Sequence, residues 1–316
     1  MKDKMKLTVA ICTWNRAKLL RRTLNSLAAQ RYTQDFDWEL LVVNNNCTDE
    51  TDIIISAFEA RLPIRRLHQP VPGLSNARNT AIAAATGEYI LWTDDDVVVC
   101  PDWLSAYAQA FTTWPDHAVF GGPIRPEFEG KPPKWLLSVW SDVEIAYAIR
   151  DIGPAVKELS IVVGHEPFGA NFAVKSELQR AHPYDSRLGK SPRHPSRVGE
   201  ETLVICSILD EGHLGRWVTN AVVHHWVPRS RQSTRHIRNY WKGHGMRCAL
   251  SEDFSSQPLL LGIPRWMIRA RLEYEIRYRM GRVIGVPSKW IADLRRVGLV
   301  EGQIAFLRAT QRQNIS

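Results

Sequence analysis

The chain has 316 residues, of which 44% are hydrophobic and 23% are charged, and it contains five cysteines. This length suffices for one large α/β domain or two small ones. No segment approaches the roughly 20 apolar residues of a membrane-spanning helix, and the N-terminus lacks the apolar block of a secretory signal, so we expect a protein inside the cell. The scattered cysteines lack metal-ligand spacing, which predicts reduced thiols.

The formal net charge is +8 and the sequence pI is about 9.4. A basic balance indicates an anionic partner such as nucleic acid, a phosphate-bearing substrate or an acidic membrane face. Arginines and lysines crowd together between Arg229 and Arg312, whereas the first hundred residues are nearly balanced. We therefore expect the anion contact in the C-terminal third.

Strand and helix patterns alternate over the first 114 residues. An apolar run without clean alternation at residues 7–13 predicts a strand buried on both faces, and further strands are predicted at 38–46, 64–69 and 88–93. Helical spacing predicts helices after each of them, at 15–30, 48–62, 73–86 and 101–114, with Asn15 as a helix cap. This alternation predicts an α/β fold with a largely parallel, doubly wound sheet, whose ligands bind beyond the carboxyl ends of the strands.

The pattern changes from about Val119. A proline-rich stretch over 121–136 predicts a loop, and a strand is expected within 167–174. A helix over 199–212 and a strand over 221–228 follow. From Gln232 onward the sequence predicts basic helices.

Three aspartates, Asp94, Asp95 and Asp96, follow the fourth predicted strand. Because a strand alternates faces, we expect Asp94 and Asp96 to point the same way and Asp95 to point the other way. Two carboxylates on one face repel each other unless a cation joins them. Mg²⁺ and Mn²⁺ prefer oxygen ligands and often lie between a carboxylate and substrate phosphates. The run therefore indicates a metal site, and the alternative is a solvated acidic turn.

The ordered set "VAICTWNR", "LLVVNNNCTDET", "GLSNARNTAI", "GEYILWTDDDV", "GANFAV" and "GEETLVICSILDEGH" resembles the family-2 glycosyltransferases with a GT-A fold. Each motif is weak alone, but six in the family's order are specific. The resemblance implies a Rossmann-like, mostly parallel GT-A domain over residues 1–228, followed by a basic helical region over 229–316. It also implies transfer of a sugar, with inversion, from a nucleotide-sugar donor to a glycan, lipid-linked or other acceptor.

The resemblance assigns residues to the donor site. Nucleotide-sugar binding would fall to Thr13, Asn15, Arg16, Asn44, Asn45, Asn46, Arg78, Asp94, Asp95 and Asn171. Because asparagines stand where the family usually has aspartate, and an amide donates as well as accepts, a UDP-sugar is the first expectation and GDP- and dTDP-sugars stay open. Gly169 is expected to allow a close backbone approach.

The resemblance also implies a metal and a base. Mn²⁺ or Mg²⁺ would be held by Asp94 and Asp96 and would neutralise the leaving diphosphate. His225 would complete the metal shell, or it is an ordinary hydrogen-bonded strand histidine. Glu201 would accept the acceptor's proton, with Glu200 as the second candidate. The alternative for both glutamates is a helix N-terminus that favours acids.

Two rival functions are weaker. A nucleotidyltransferase usually has a glycine-rich basic loop after the first strand, and "TWNRAKLL" has no glycine. A non-catalytic nucleic-acid binder would explain the charge, but no recognised nucleic-acid motif is present, so we expect no nucleic-acid partner.

The C-terminal stretches "RWMIRARLEYEIRYRMGRVIG" and "KWIADLRRVGL" combine apolar residues with arginines at roughly helical spacing. Such a helix can lie on an anionic membrane face. A helical packing domain with a solvated basic face, or an oligomer contact, explains the pattern equally well.

Overall fold

The computed structural model describes residues 4–32, 35–155, 158–160, 162, 164–191, 199–249, 252, 254 and 257–313. Its strands are β1 Lys6–Thr13, β2 Asp37–Asn44, β3 Ile64–His68, β4 Tyr89–Thr93, β5 Val97–Val99, β6 His117–Gly121, β7 Ile124–Phe128, β8 Asn171–Lys175, β9 Leu214–Trp217, β10 Val223–Val227, β11 Leu259–Leu260 and β12 Ile263–Pro264.

The helices alternate with the strands in the first half and dominate the end of the chain. They are α1 Ala17–Ala28, α2 Thr51–Phe58, α3 Leu74–Ala84, α4 Trp103–Thr113, α5 Lys134–Leu137, α6 Trp140–Val143, α7 Ser176–Ala181, α8 Glu200–Asp210, α9 Thr234–Cys248, α10 Arg265–Ile284 and α11 Pro287–Gln313. A 3₁₀ turn spans Glu144–Tyr147. No helix in the described ranges is both long enough and apolar enough to cross a bilayer.

The described residues form a seven-stranded sheet in the order β3-β2-β1-β4-β8-β6-β9. β1 pairs in parallel with β2 and β4, whereas β8 runs antiparallel to both β4 and β6. The predicted α/β fold with a mostly parallel sheet is therefore confirmed. Because β1, β2 and β4 are parallel, their carboxyl ends lie at one edge of the sheet. The strand order reverses next to β1, and ligands of such sheets bind at this point.

Helices cover both faces of this sheet. Ile90 and Trp92 of β4 join one apolar cluster with residues of α3 and α8. Tyr89, which points to the other face, stacks on Phe111 of α4 with 3.8 Å between the ring centroids. Covering both faces explains why β4 is a continuous apolar run, buried at every residue, instead of an alternating one.

The proline-rich stretch contains a strand, so the prediction of a loop over 121–136 is wrong in part. β7 lies at the edge of a second sheet, of order β5-β10-β7, and Pro126 lies within β7. Proline is tolerated in an edge strand because one side of that strand has no ladder partner for an N–H.

The chain divides into two compact units. Among the described residues, the first comprises 4–127, 148–191 and 199–226, and the second comprises 128–147 and 227–313. The unit that holds the C-terminal helices thus also includes a segment from the middle of the chain. The single domain boundary at residue 228 stays a prediction.

Within the second unit, glycines allow α9 and α11 to touch along their backbones. A Cβ at Gly302 would collide with the carbonyl oxygen of Lys242, and one at Gly298 would lie 2.6 Å from that of Arg238. Gly245 has the same relation to the backbone of Leu299. The two helices therefore approach more closely than side chains would permit.

One buried carboxylate joins three strands of the first unit. Glu39 on β2 accepts hydrogen bonds from the Thr8 hydroxyl, the Thr86 hydroxyl and the Thr86 backbone N–H, at 2.8, 2.6 and 2.7 Å. Arg65 on β3 donates to its second oxygen at 2.5 Å. Burial alone would raise the pKa of Glu39, but these hydrogen bonds outweigh it and lower the pKa to about 2.

We expect Glu39→Gln to lower the free energy of unfolding at pH 7 by at most about 3 kcal/mol. The reason is that a carboxylate whose pKa is lower in the folded than in the unfolded protein stabilises the folded protein when it is ionised. That difference from the wild type should be complete above about pH 4.5, the ordinary value, and should shrink as the pH falls towards about 2. Urea unfolding of both proteins across this range measures it. A difference that does not change with pH would mean that the charge of Glu39 is unimportant.

Candidate functional site

The polar ends of β1, β2 and β4 meet at one edge of the sheet. Thr13 pairs in register with Asn44, and Asp94 follows directly after β4. The Thr13 hydroxyl donates to Asp95 Oδ2 at 2.7 Å. The residues predicted from these strand ends are thus brought together.

The three aspartates lie in a turn between β4 and β5 and not in a strand. Arg16 donates from one guanidinium nitrogen to Asp95 Oδ1 at 2.9 Å and to Asp96 Oδ2 at 3.0 Å. The prediction that Asp95 points away from Asp96 is therefore wrong, because strand alternation ends at Thr93. Arg16 supplies part of the positive charge that this acidic run requires.

Burial disfavours the ionised forms of Asp94 and Asp95. Burial raises the pKa of Asp95 to about 6, although the charge of Arg16 acts in the opposite direction. Burial, and then the charge of Asp96, raises the pKa of the half-buried Asp94. Additional positive charge at this position would stabilise the ionised carboxylates.

His225 reaches the same carboxylates from β10. Its Nε2 lies 3.3 Å from Asp96 Oδ1. The ring is buried, and its Nδ1 has no hydrogen-bond partner among the described residues. His224, its neighbour on β10, is only half-buried.

The donor set fits a divalent ion with two protein ligands. Among the described residues, no group of three or more His, Cys, Asp or Glu side chains is placed to hold a metal. Mg²⁺ sites commonly use one or two carboxylates together with substrate phosphates, and an imidazole is compatible with Mn²⁺. Asp96 and His225 supply one oxygen and one nitrogen of this kind, with Asp94 beside them.

A second charged group lies at the start of α8. Arg78 is 3% exposed, and its guanidinium lies 3.0 Å from Glu200 and 3.7 Å from Glu201. A Cβ at Gly169 would lie 2.8 Å from Arg78 and 3.2 Å from Glu201. The backbone at Gly169 therefore approaches both side chains closely.

The two glutamates differ in exposure. The side chain of Glu200 is 4% exposed and that of Glu201 is 19% exposed. Burial, and then the charge of Glu201, raises the pKa of Glu200 to about 7, with Arg78 acting in the opposite direction. Glu200 is a buried partner for Arg78, whereas Glu201 keeps access to solvent.

The loop before α8 brings Lys190 to this group. The Ser75 hydroxyl and the Leu74 N–H, at the start of α3, donate to the carbonyl oxygens of Leu188 and Lys190, both at 2.9 Å. The charge of Lys190 lowers the pKa of both Asp94 and Glu200. Sequence reasoning missed Lys190, because a lysine in a loop without a motif gives no signal.

Two of the asparagines that were predicted to bind the nucleotide form side-chain hydrogen bonds within the protein. The Asn44 amide donates to Asp52 at 2.9 Å, and the Asn45 amide donates to the carbonyl oxygens of Gln69 and Val71 at 3.0 and 2.9 Å. Both side chains are buried. Asn46 is exposed and has a positive φ of 60°. A nucleotide contact from these three residues stays a prediction.

Asn15 does not cap α1, so that prediction is wrong. Its side-chain oxygen accepts the Thr48 N–H at 2.7 Å, and Asp49 accepts the Ala17 N–H at 3.0 Å instead. Asn15 has a positive φ of 52°, which turns its side chain towards the following loop. The loop after β2 therefore supplies a hydrogen-bond acceptor for the first backbone N–H of α1.

Asn171 is fully buried, and all its amide bonding capacity is used. Its oxygen accepts from the Trp103 indole at 2.8 Å and from the Tyr107 hydroxyl at 2.9 Å. Its nitrogen donates to the carbonyl oxygens of Pro123 and Ala221 at 3.0 and 2.7 Å. These four hydrogen bonds give Asn171 a bracing role within the protein. Its predicted sugar contact stays a prediction.

Comparison with protein families matches residues 8–166 to the family described as Glycosyl transferase family 2. Among curated proteins, the succinoglycan biosynthesis protein ExoM of Rhizobium meliloti is 28% identical over 153 residues, covering 45% of this chain and 49% of its own length. Poly(ribitol-phosphate) beta-N-acetylglucosaminyltransferase TarS of Staphylococcus aureus is 33% identical over 29% of this chain and 16% of its own length. The chain therefore spans half or less of these relatives.

Solved structures share the fold over nearly the whole chain. TarS 1-349 of S. aureus in complex with UDP has a TM-score of 0.55 at 16% identity, covering 98% of this chain and 92% of that one. The mannosyltransferase PcManGT of Pyrobaculum calidifontis, in complex with GDP-Man and Mn²⁺, has a TM-score of 0.56 at 16% identity, covering 98% and 76%. The predicted GT-A fold is thereby confirmed.

We expect Asn171→Ala to lower the free energy of unfolding by about 3–5 kcal/mol, because it removes one hydrogen bond from each of four buried polar groups. Chemical denaturation measures the change. Asn25→Ala, at an exposed position of α1, is the control and should change stability little. Equal effects of the two substitutions would contradict the bracing role.

Proposed function

The chain belongs to glycosyl transferase family 2, and on that premise we propose that it transfers a sugar from a nucleotide-diphosphate donor to a hydroxyl group. The proposed acceptor is a glycan, a lipid-linked molecule or another hydroxyl-bearing molecule. The observation that carries the proposal is the cluster of Arg16, Asp95, Asp96 and His225 at the carboxyl edge of the sheet. This cluster combines acidic groups for a cation with a position where such folds bind ligands.

In this proposal Asp96 and His225 hold Mn²⁺ or Mg²⁺, and Asp94 adds negative charge beside them. The ion, when bound, supplies positive charge for the leaving diphosphate. Arg16 keeps Asp95 and Asp96 in place through its shared hydrogen bonds. Lys190, whose charge acts on Asp94, adds a cationic side chain near the same position.

Glu201 is the proposed base. It removes the proton of the acceptor hydroxyl while the acceptor oxygen bonds to the anomeric carbon, and the bond from that carbon to the diphosphate oxygen breaks. Attack opposite the leaving group inverts the anomeric centre. The exposure of Glu201 supports this assignment, and the burial of Glu200 against Arg78 supports a positioning role for Glu200.

The nucleotide is proposed to be UDP, with GDP as the principal competitor. TarS was solved with UDP and PcManGT with GDP-Man and Mn²⁺, so both bases occur on this fold. ExoM is a succinoglycan biosynthesis protein by name, which supports a role in polysaccharide synthesis.

A thermal-shift panel of UDP, GDP, dTDP and CDP, each with Mn²⁺ and with EDTA, tests the donor site. We expect one nucleotide at a large excess over its Kd to raise the melting temperature by a few degrees, on the order of 5 °C, only with metal, because it binds the folded state. Asp96→Asn should abolish this shift, whereas Asp116→Asn, at an exposed position, should preserve it. No shift with any nucleotide would contradict the proposal.

Glu201→Gln tests the base. Release of the nucleoside diphosphate from the selected donor, with an acceptor present, should slow by about 10²–10⁴-fold, because the acceptor proton has no base. The nucleotide thermal shift should persist, since the donor site is intact. A rate equal to that of the wild type would exclude Glu201 as the base.

A further inference from the structure

One face of α10 is apolar and exposed, and we call it the α10 stripe. It consists of Ile268, Leu272, Ile276, Met280 and Val283, which are 37%, 63%, 48%, 61% and 89% exposed. Their spacing of three and four residues places them along one side of the helix. The stripe therefore forms a continuous apolar surface instead of scattered exposed residues.

The stripe is not the packing face of α10. Met267 and Tyr278 are the buried residues of this helix, and Met267 joins an apolar cluster with Val300 and Ile304 of α11. The exposed apolar surface continues before the helix into the β11–β12 hairpin, where Leu259, Leu260 and Leu261 are 46%, 49% and 89% exposed. Large exposed apolar surfaces of this kind usually mark an interaction site.

The charges around the stripe are mostly positive. The helix contains six arginines, at 265, 269, 271, 277, 279 and 282, and two glutamates, at 273 and 275. Glu275 is bound by Arg238 and Arg279, and Glu273 lies 3.4 Å from Arg277. Arg271 and Arg277 are also paired, with Glu301 at 3.1 Å and Asp293 at 3.4 Å. The remaining charge beside the apolar residues is cationic, because no ion pair joins Arg265, Arg269 or Arg282 to a carboxylate of the described residues.

A cavity of about 330 Å³ adjoins the stripe in the second unit. Ile268 and Arg271 of α10 line it, together with Lys242, Arg308 and the single carboxylate of Glu301. Ile263 and Ile304 supply apolar lining. A cavity with an apolar lining and three cationic side chains is complementary to an anionic headgroup attached to a hydrocarbon chain.

We propose that the α10 stripe and its flanking arginines dock on the surface of an anionic lipid bilayer. An amphipathic helix with apolar residues on one side and arginines beside them binds such surfaces by burying the apolar face and neutralising anionic headgroups. A second copy of the chain fits less well, because a two-fold contact would place arginines against arginines. The inference does not depend on the donor or on the reaction.

Co-sedimentation with vesicles of phosphatidylcholine and phosphatidylglycerol tests the proposal, with pure phosphatidylcholine vesicles for comparison. We expect binding to the anionic vesicles at low salt, and less binding as salt screens the arginines. The triple variant Leu272→Ser, Ile276→Ser, Met280→Ser should bind at least about tenfold more weakly, because three apolar side chains no longer enter the bilayer. Arg265→Gln with Arg269→Gln should reduce the dependence on salt.

The matched control replaces exposed apolar residues elsewhere, Ile53→Ser with Leu214→Ser, which are 68% and 50% exposed in the wild type. Its vesicle binding should equal that of the wild type. Absence of wild-type binding to anionic vesicles, or equal losses in the triple variant and the control, would overturn the proposal. So would a dimer in sedimentation velocity that the triple variant dissociates.

The nucleotide thermal shift is measured on the triple variant in parallel. If the nucleotide shift is preserved but the wild type does not bind vesicles, the proposal of membrane docking is overturned and the proposed transferase function is not affected. Vesicle binding without any nucleotide shift would do the reverse.

Discussion

The contact of Arg16 with Asp95 and Asp96 is the interaction on which the rest of the site depends. A single guanidinium nitrogen binds both carboxylates, and the Thr13 hydroxyl holds Asp95 from β1. The end of β4 is thereby fixed against the start of α1, and Asp96 lies beside His225 of β10. Burial raises the pKa of Asp94 and Asp95 although the charges of Arg16, Arg78 and Lys190 act in the opposite direction, so additional positive charge would stabilise the ionised carboxylates.

Much of the sheet was predictable because β1, β2 and β4 contain apolar runs, which mark strands covered on both faces. The edge strand β3, with two arginines and a histidine, has no such run. The common edge of Thr13, Asn44 and Asp94 followed from parallel pairing. The antiparallel insertion of β8 between β4 and β6 was not predictable, because strand order depends on contacts between residues far apart in sequence. β7 was missed because its proline suits a loop and an edge strand equally well.

The roles of the amide side chains at the site could not be predicted from the sequence. Amides at strand ends can bind a ligand or brace the backbone, and the pattern "NNN" does not distinguish these roles. Asn44, Asn45 and Asn171 use their amides within the protein, whereas Glu201 keeps partial exposure. The pairing of Arg16 with the aspartates had a signal, since three adjacent acids require a cation and Arg16 follows a neighbouring strand. Only the hydrogen-bond distances in the structure show which protein groups these side chains bind.

The glycine contacts of α9 and α11 have a consequence for how this part of the chain changes over evolution. At Gly245 and Gly302 a methyl group would enter the backbone of the facing helix, so these positions tolerate no larger residue without separating the helices. The exposed arginines and apolar residues of α10 have no such restriction, because their side chains meet solvent. Related chains should therefore retain the glycine contacts between α9 and α11 while the exposed surface of α10 diverges. A surface adapted to one environment can thus be replaced without a change in the packing of α9 against α11.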